Sequence, residues 1–323
     1  FVDADTIYQI GYQGFSKLCS NDDRFLDFGS SIFHYNNIQI DPIFLTLQEN
    51  QSILEEVENL MYLLSEYIMT NEAVQVLEYL IRQFAVNKLR PAHLVITVLP
   101  YLETSFFVRV IQTIPFKDLP EEYKFLKEFR PILESKKPIS RTILREMIER
   151  RSDLLHWIIK FAYPIAELHP NGSFVSFVGV FFTEIGLNTS KDVIIGSIIE
   201  TCRSSFGFED KSLAPHLIMT VAAINEKKQL HEKVINKFTE LIISNSGILL
   251  KTHFRSILMA TIYFLNLYKP NSDQDSKNKL FLTDFIIELG NHINELDEIS
   301  KKYKMKVLAE NAVEVISTNL YND

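Results

Sequence analysis

Apolar residues recur every three to four positions along almost the whole of this chain, in short runs broken by polar connections. That spacing lays one apolar stripe along a helix. Val234, Ile235, Phe238, Leu241 and Ile242 stand at i, i+1, i+4, i+7 and i+8. Ala73, Val76, Leu77, Leu80, Ile81 and Phe84 repeat the pattern. Ile143, Leu144, Met147 and Ile148 do so again, with Arg141, Arg145 and Glu149 on the opposite side. The chain therefore reads as all-α, with about sixteen to eighteen helices of roughly 10 to 18 residues. The β-branched run 94–99 is ambiguous by itself, but it sits between helical patterns and reads as buried helix.

Asn71, Ser140, Ser190 and Asp210 stand where a side chain would accept from an orphan N–H of a first turn. Gly186 and Gly290 follow periodic runs, as helix-ending glycines do. Pro164 lies inside the run 153–168 and is expected to kink or split it. Segment 115–138 carries four prolines and reads as a less regular joint. The longest polar gap, 269–279, reads as a mobile loop. Helices pair naturally as 52–67 with 71–86 and 210–224 with 228–245, a repeat near 40 residues. Each pair leaves an apolar face that must stack on a neighbour. The expected architecture is a HEAT-like α-solenoid of stacked antiparallel helix pairs, running as a single region over 1–323. A closed bundle would need fewer, longer helices.

Composition narrows the function classes. There are 10 Gly and 11 Pro in 323 residues, too few for a loop-rich or phosphate-cradling design, and 46% of residues are hydrophobic, which excludes disorder. Two cysteines, Cys19 and Cys202, fit a reducing compartment rather than a disulfide scaffold. No apolar run reaches the roughly 18 residues of a membrane helix. The first residue is Phe1, which suggests a piece of a longer protein. Motifs for catalysis are missing from the sequence: no phosphate-binding glycine loop, no dinucleotide fingerprint, no nucleophile elbow. His231-Glu232 begins like a zinc-protease helix, but Ile235 occupies the position of the second His. The remaining histidines form no pair at ligand spacing, and neither cysteine sits beside a His. No cofactor, metal or small-molecule substrate is expected. Gly11 and Gly14 lie within a helical pattern and read as a close helix crossing.

One segment stands apart in charge. Lys124, Lys127, Arg130, Lys136, Lys137, Arg141, Arg145, Arg150 and Arg151 face four glutamates, giving a net +5 in a chain of net charge −8. Such a stripe can bind a phosphate backbone; it can equally be a solvated face whose charges pair locally. Arg109 stands in Phe106-Phe107-Val108-Arg109-Val110-Ile111, apolar nearly all round. It reads as a buried strut paired with Glu103 or Asp118. The single Trp157 reads as core or an inter-helix seam.

The first third carries specific motifs. Asp5-Thr6-Ile7, then Ile10-Gly11 and Gly14, open the chain. Leu77-Glu78-Tyr79-Leu80-Ile81-Arg82-Gln83-Phe84 resembles a "LEWLIRRF" stretch. Leu99-Pro100-Tyr101-Leu102-Glu103-Thr104, followed by Phe107-Val108-Arg109-Val110-Ile111-Gln112, resembles an "LPYHET…FVRVIQ" block. Together they resemble the amino-terminal region of the HEAT repeat-containing protein one family, whose yeast counterpart is the tenth U-three small nucleolar RNA-associated protein. Tyr79 replaces the family's Trp and Leu102 a polar residue, both conservative for packing. The blocks read as packing motifs that expose no site.

The resemblance implies a large nucleolar solenoid without catalytic activity. It implies a subunit of the UtpA subcomplex of the small-subunit processome, on the five-prime external transcribed spacer of pre-rRNA. It further implies support for 18S rRNA maturation and rDNA transcription, and docking to other UtpA proteins, β-propeller subunits among them. Two other functions suit the same architecture: an RNA-binding solenoid using the 124–151 stripe, and a transport or trafficking adaptor.

Overall fold

The computed structural model describes residues 2–39, 41, 51–130, 140–245 and 247–249, with a few positions between 257 and 287. Among the described residues every regular element is helical and no strand occurs. The architecture is all-α, as the periodicity requires. The helices whose bounds lie among the described residues are α1 (Ala4–Asn21), α2 (Gln51–Leu64), α3 (Asn71–Phe84), α4 (Val86–Leu89), α5 (Pro91–Val98), α6 (Ser105–Gln112), α7 (Arg141–Arg150), α8 (Asp153–Leu168), α9 (Ser173–Asn188), α10 (Asp192–Ser204), α11 (Ala214–Lys228) and α12 (Glu232–Ser244). The chain divides into two compact units, Phe1–Phe174 and Val175–Asp323.

Among the described helices of the first unit, α1 and α3 share the most extensive contact. Glycine makes this approach possible. A Cβ on Gly11 would stand 2.5 Å from the Tyr79 Cβ, and one on Gly14 would stand 2.5 Å from the Glu72 carbonyl oxygen. The close crossing expected at these glycines is therefore present, and its partner is α3. Around it Phe15 stacks on Phe33 at 4.0 Å, and Phe33 on Tyr79 at 5.0 Å between ring centroids. Tyr79 is fully buried, so its hydroxyl needs an acceptor; it donates to the Ile32 carbonyl at 3.0 Å. Tyr8 donates in the same way to the Phe33 carbonyl at 2.9 Å. α2 packs on α3, α5 and α8, and α5 also meets α8. Packing in this unit thus reaches beyond successive pairs.

Helices α4, α5 and α6 are shorter than the periodicity suggests, for local reasons. Ala85 has φ of 48°, a left-handed conformation that ends α3. This costs about 1–2 kcal/mol for a residue with a Cβ. Pro91 opens α5 in the first turn, where its missing N–H costs nothing. Thr104 caps α6, its hydroxyl accepting from the Phe107 N–H. The run 94–99 is buried helix as read, continued by the 3-10 turn Leu99–Tyr101.

Several expected boundaries move. Thr70, not Asn71, caps α3. Ser140 precedes α7 but makes no side-chain cap bond. Lys191, not Ser190, precedes α10. Asp210 accepts from the Ser212 N–H and hydroxyl in a local turn, and α11 starts only at Ala214. Gly186 does not end a helix; it lies within α9, where a Cβ would stand 2.3 Å from Ile224 Cδ1. Its role is close packing against α11. Pro164 does not split α8, which runs unbroken over 16 residues with Leu154, Ile158, Ile165 and Ala166 buried. Burial of this apolar face holds the helix together through the one backbone bond the proline removes.

In the second unit α9 meets α11 through small polar residues. Thr220 donates to the Gly179 carbonyl at 3.2 Å, and the Thr183 and Thr220 hydroxyls lie 3.0 Å apart. Phe238 of α12 packs near Phe206 and stacks on Phe264. No described helix is long and apolar enough to cross a membrane. Of the expected joint, 115–130 lies within the first unit; 131–138, the 269–279 loop and Gly290 lie outside the described residues.

Candidate docking surface

The basic stripe is distributed over two elements of the first unit. Lys124 and Lys127 lie on a 3-10 segment, Glu121–Phe129, and Arg130 follows it; Arg141, Arg145 and Arg150 lie on α7, with Arg151 just after. Lys136 and Lys137 lie outside the described residues. Local pairing takes up part of the charge. Lys124 pairs with Glu121, Arg141 approaches Glu103 at 3.8 Å, and Arg151 donates to Asp153 at 2.6 Å. The Arg151–Asp153 bond raises the arginine's pKa and lowers the carboxyl's. Lys127, Arg130 and Arg150 are exposed.

The apolar residues beneath this segment form a core seam. Trp157 is buried, with Phe125, Phe129 and Phe161 around it at ring-centroid distances of 5.0, 6.0 and 6.1 Å. That is the seam role expected of the tryptophan, and it anchors the 3-10 segment on α8.

Arg109 departs from expectation. It is exposed, not buried. α6 buries Phe107, Val108, Val110 and Ile111 on one face, while Ser105, Arg109 and Gln112 face outward at i, i+4 and i+7. A guanidinium keeps its charge at any ordinary pH, so solvent is the less costly place for it. Glu103, one of its two expected partners, instead faces Arg141. Arg109 makes no ion pair among the described residues; its guanidinium lies 6.0 Å from the Phe106 ring centroid, the outer limit of a cation–π contact.

Arg109 borders a groove of about 430 Å³ between α3 and α6. Val74, Ile81 and Phe106 are half-buried along it, with Leu77 and Val110 beneath. Arg82 donates to Glu78 at 3.0 Å on the α3 rim. The two blocks that read from sequence as pure packing motifs thus also present an open face, because each helix buries only one side. A second groove, about 500 Å³, runs between α9 and α11 past Gly179, Val180, His216 and Met219.

The titratable groups that are buried or have partners within the chain serve the fold. Glu58 of α2 pairs with Arg90 and stands 3.5 Å from His93 Nε2. His93 is buried in α5, and desolvation pushes its pKa down to about 3, helped by the Arg90 charge. The Glu58 carboxylate is already engaged by Arg90, so its pull on the imidazole is offset. His169 donates through its Nε2–H to the Leu63 carbonyl at 3.0 Å, and burial lowers its pKa. His231 caps α12, accepting from the Lys233 N–H. Burial raises the Cys19 and Cys202 thiols, so neither carries a reactive thiolate. Among the described residues no group of three His, Cys, Asp or Glu side chains could hold a metal ion.

No family model matches the chain. Individual relatives do. U3 small nucleolar RNA-associated protein 10 of Emericella nidulans is 25% identical over 256 residues, 74% of this chain and 14% of that protein. The protein of the same name in Aspergillus terreus is 23% identical over 317 residues, 94% of this chain and 17% of that protein. The Neosartorya fischeri protein is 32% identical over 128 residues, 40% of this chain and 7% of that protein. The chain spans under a fifth of the length of these relatives, and the similarity runs well past the motifs of its first third. Over most of its length, then, this chain is similar to the U3 small nucleolar RNA-associated protein 10 of several fungi, the family its early motifs resemble.

Proposed function

We propose that this chain is a non-catalytic docking segment of a ribosome-biogenesis scaffold that acts in the nucleolus. The similarity to U3 small nucleolar RNA-associated protein 10 over up to 94% of the chain carries this reading. The relatives' name ties them to a small nucleolar RNA, and their much greater length suits a scaffold. The helical surface supports the same reading: α3 and α6 each bury one face and leave another open. The partners are UtpA proteins of the small-subunit processome assembled on the five-prime external transcribed spacer, and docking through several weak contacts gains avidity. A second reading adds direct pre-rRNA contact through exposed Lys127, Arg130 and Arg150. Pairing of Lys124, Arg141 and Arg151 with carboxylates favours protein docking as the main role.

A tagged pull-down of the chain from nuclear extract, with and without ribonuclease, tests both readings. UtpA proteins recovered in both arms support docking. Recovery lost with ribonuclease makes RNA the primary ligand. Processome proteins absent from both arms overturn the assignment.

A further inference from the structure

We infer that the α3–α6 groove binds an acidic, apolar peptide segment of a partner protein, with Arg109 as the residue that reads its carboxylate. The inference deepens the docking role proposed above and rests on it for the identity of the partner, though not for the chemistry of the site. Three observations meet at this place. The groove is open and apolar, with half-buried Val74, Ile81 and Phe106 along about 430 Å³, enough to take one or two large side chains. On the α3 rim the charges already cancel, because Glu78 and Arg82 pair at 3.0 Å. On the α6 rim Arg109 stands without an ion pair among the described residues, beside Phe106 at 6.0 Å.

Charge complementarity selects the occupant. A purely apolar segment laid into the groove would strip water from the Arg109 guanidinium and return nothing, which disfavours it. A basic segment, or a second positive rim, would meet like charge. A segment whose large apolar side chain enters the groove and whose adjacent Asp or Glu reaches Arg109 would bury apolar surface and gain a bidentate, charge-assisted pair. The planar fork of an arginine resting near an aromatic ring suits such a carboxylate. A phosphate backbone is a poorer fit, because it offers no apolar group for Val74, Ile81 and Phe106.

The test uses the whole 323-residue chain as bait for a phage-displayed random dodecapeptide library. Synthetic versions of the enriched peptides are then measured by fluorescence anisotropy. The expected peptides combine Leu, Phe or Trp with a nearby Asp or Glu. Arg109→Glu should weaken them at least tenfold, and a peptide with Lys in place of the acidic residue should regain affinity for that variant. The melting curve of Arg109→Glu should match the parent's, since Arg109 is exposed. A library that yields no peptides, yields peptides without acidic residues, or yields peptides that bind Arg109→Glu as tightly as the parent overturns the site. Peptides that satisfy these criteria while the pull-down recovers no processome protein would keep the site and reject the proposed assembly.

Discussion

Helices α5 and α6 are each eight residues long and each dense in apolar residues, yet they end in opposite environments. All eight residues of α5 are buried. α6 buries one face and turns Ser105, Arg109 and Gln112 outward. Both contain polar residues at i, i+4 spacing: His93 and Thr97 in α5, Ser105 and Arg109 in α6. What separates them is whether the polar group can be silenced. Thr97 donates to the His93 carbonyl at 2.8 Å, inside its own helix. His93 sheds its charge when desolvated, with its pKa pushed down to about 3. Arg109 can do neither. Between these two helices, burial therefore follows whether the polar group can be satisfied or its charge removed, rather than the count of apolar neighbours.

The largest test of this contrast deletes packing from the buried helix. Leu94 is wholly buried in α5. Leu94→Ala should lower stability by about 3 kcal/mol through lost transfer energy and a residual cavity. Urea denaturation at constant m-value would show it. A loss under about 1 kcal/mol would mean that α5 is far less packed than described.

A smaller loss should follow from the ion pair that borders α5. Glu58→Gln leaves Arg90, itself mostly buried, without its counter-charge, and should cost about 2 kcal/mol. A Glu58→Leu and Arg90→Met double variant should recover much of that loss, since well-packed apolar groups often replace a buried pair at little cost. If the double variant is as unstable as the sum of the singles, the two residues do not act as a pair.

Silencing His93 has a pH signature. Its folded pKa lies below that of the unfolded chain, so the unfolded state binds the extra proton between about pH 6.5 and 3. Stability from this group is complete above pH 6.5 and falls with pH through that window, with a slope approaching about 1.4 kcal/mol per pH unit. His169, also lowered, contributes in the same direction. His93→Leu should flatten the stability profile between pH 6.5 and 5, above the range where ordinary carboxylates titrate. An unchanged slope there would show that His93 is solvated.

Much of the fold was readable from periodicity. The stripes at 73–84 and 143–148 mark α3 and α7, and Gly11 with Gly14 marks a close crossing. Its partner was not readable, because Tyr79 lies far along the chain and spacing says nothing about which helix arrives. Helix starts were less legible: Thr70 outcompetes Asn71, and Asp210 closes its own turn, because adjacent polar residues can satisfy the same orphan donors. Of the candidate surface, the charged segment was visible in composition, but its local pairs depend on rotamers and tertiary neighbours. The α3–α6 groove was hidden for a different reason. Its lining comes from the same motifs that read as packing, and only the orientation of the two helices shows which sides remain open. The outward stripe of Ser105, Arg109 and Gln112 was present in the sequence and was the signal that would have found it.

Removing the charge that keeps α6 at the surface should do least to stability. Arg109→Ala takes away one exposed side chain and a cation–π contact at the limit of its range, worth about 0.5 kcal/mol or less. Thermal and urea unfolding should therefore barely change, in contrast with Leu94→Ala on the other helix. Were Arg109 the internal strut that its apolar neighbours suggest, its removal would strand a buried carboxylate and cost several kcal/mol. The size of this one change separates the two pictures. A near-zero stability effect combined with lost affinity for acidic peptides would assign Arg109 to recognition, and a large stability effect would return it to the core.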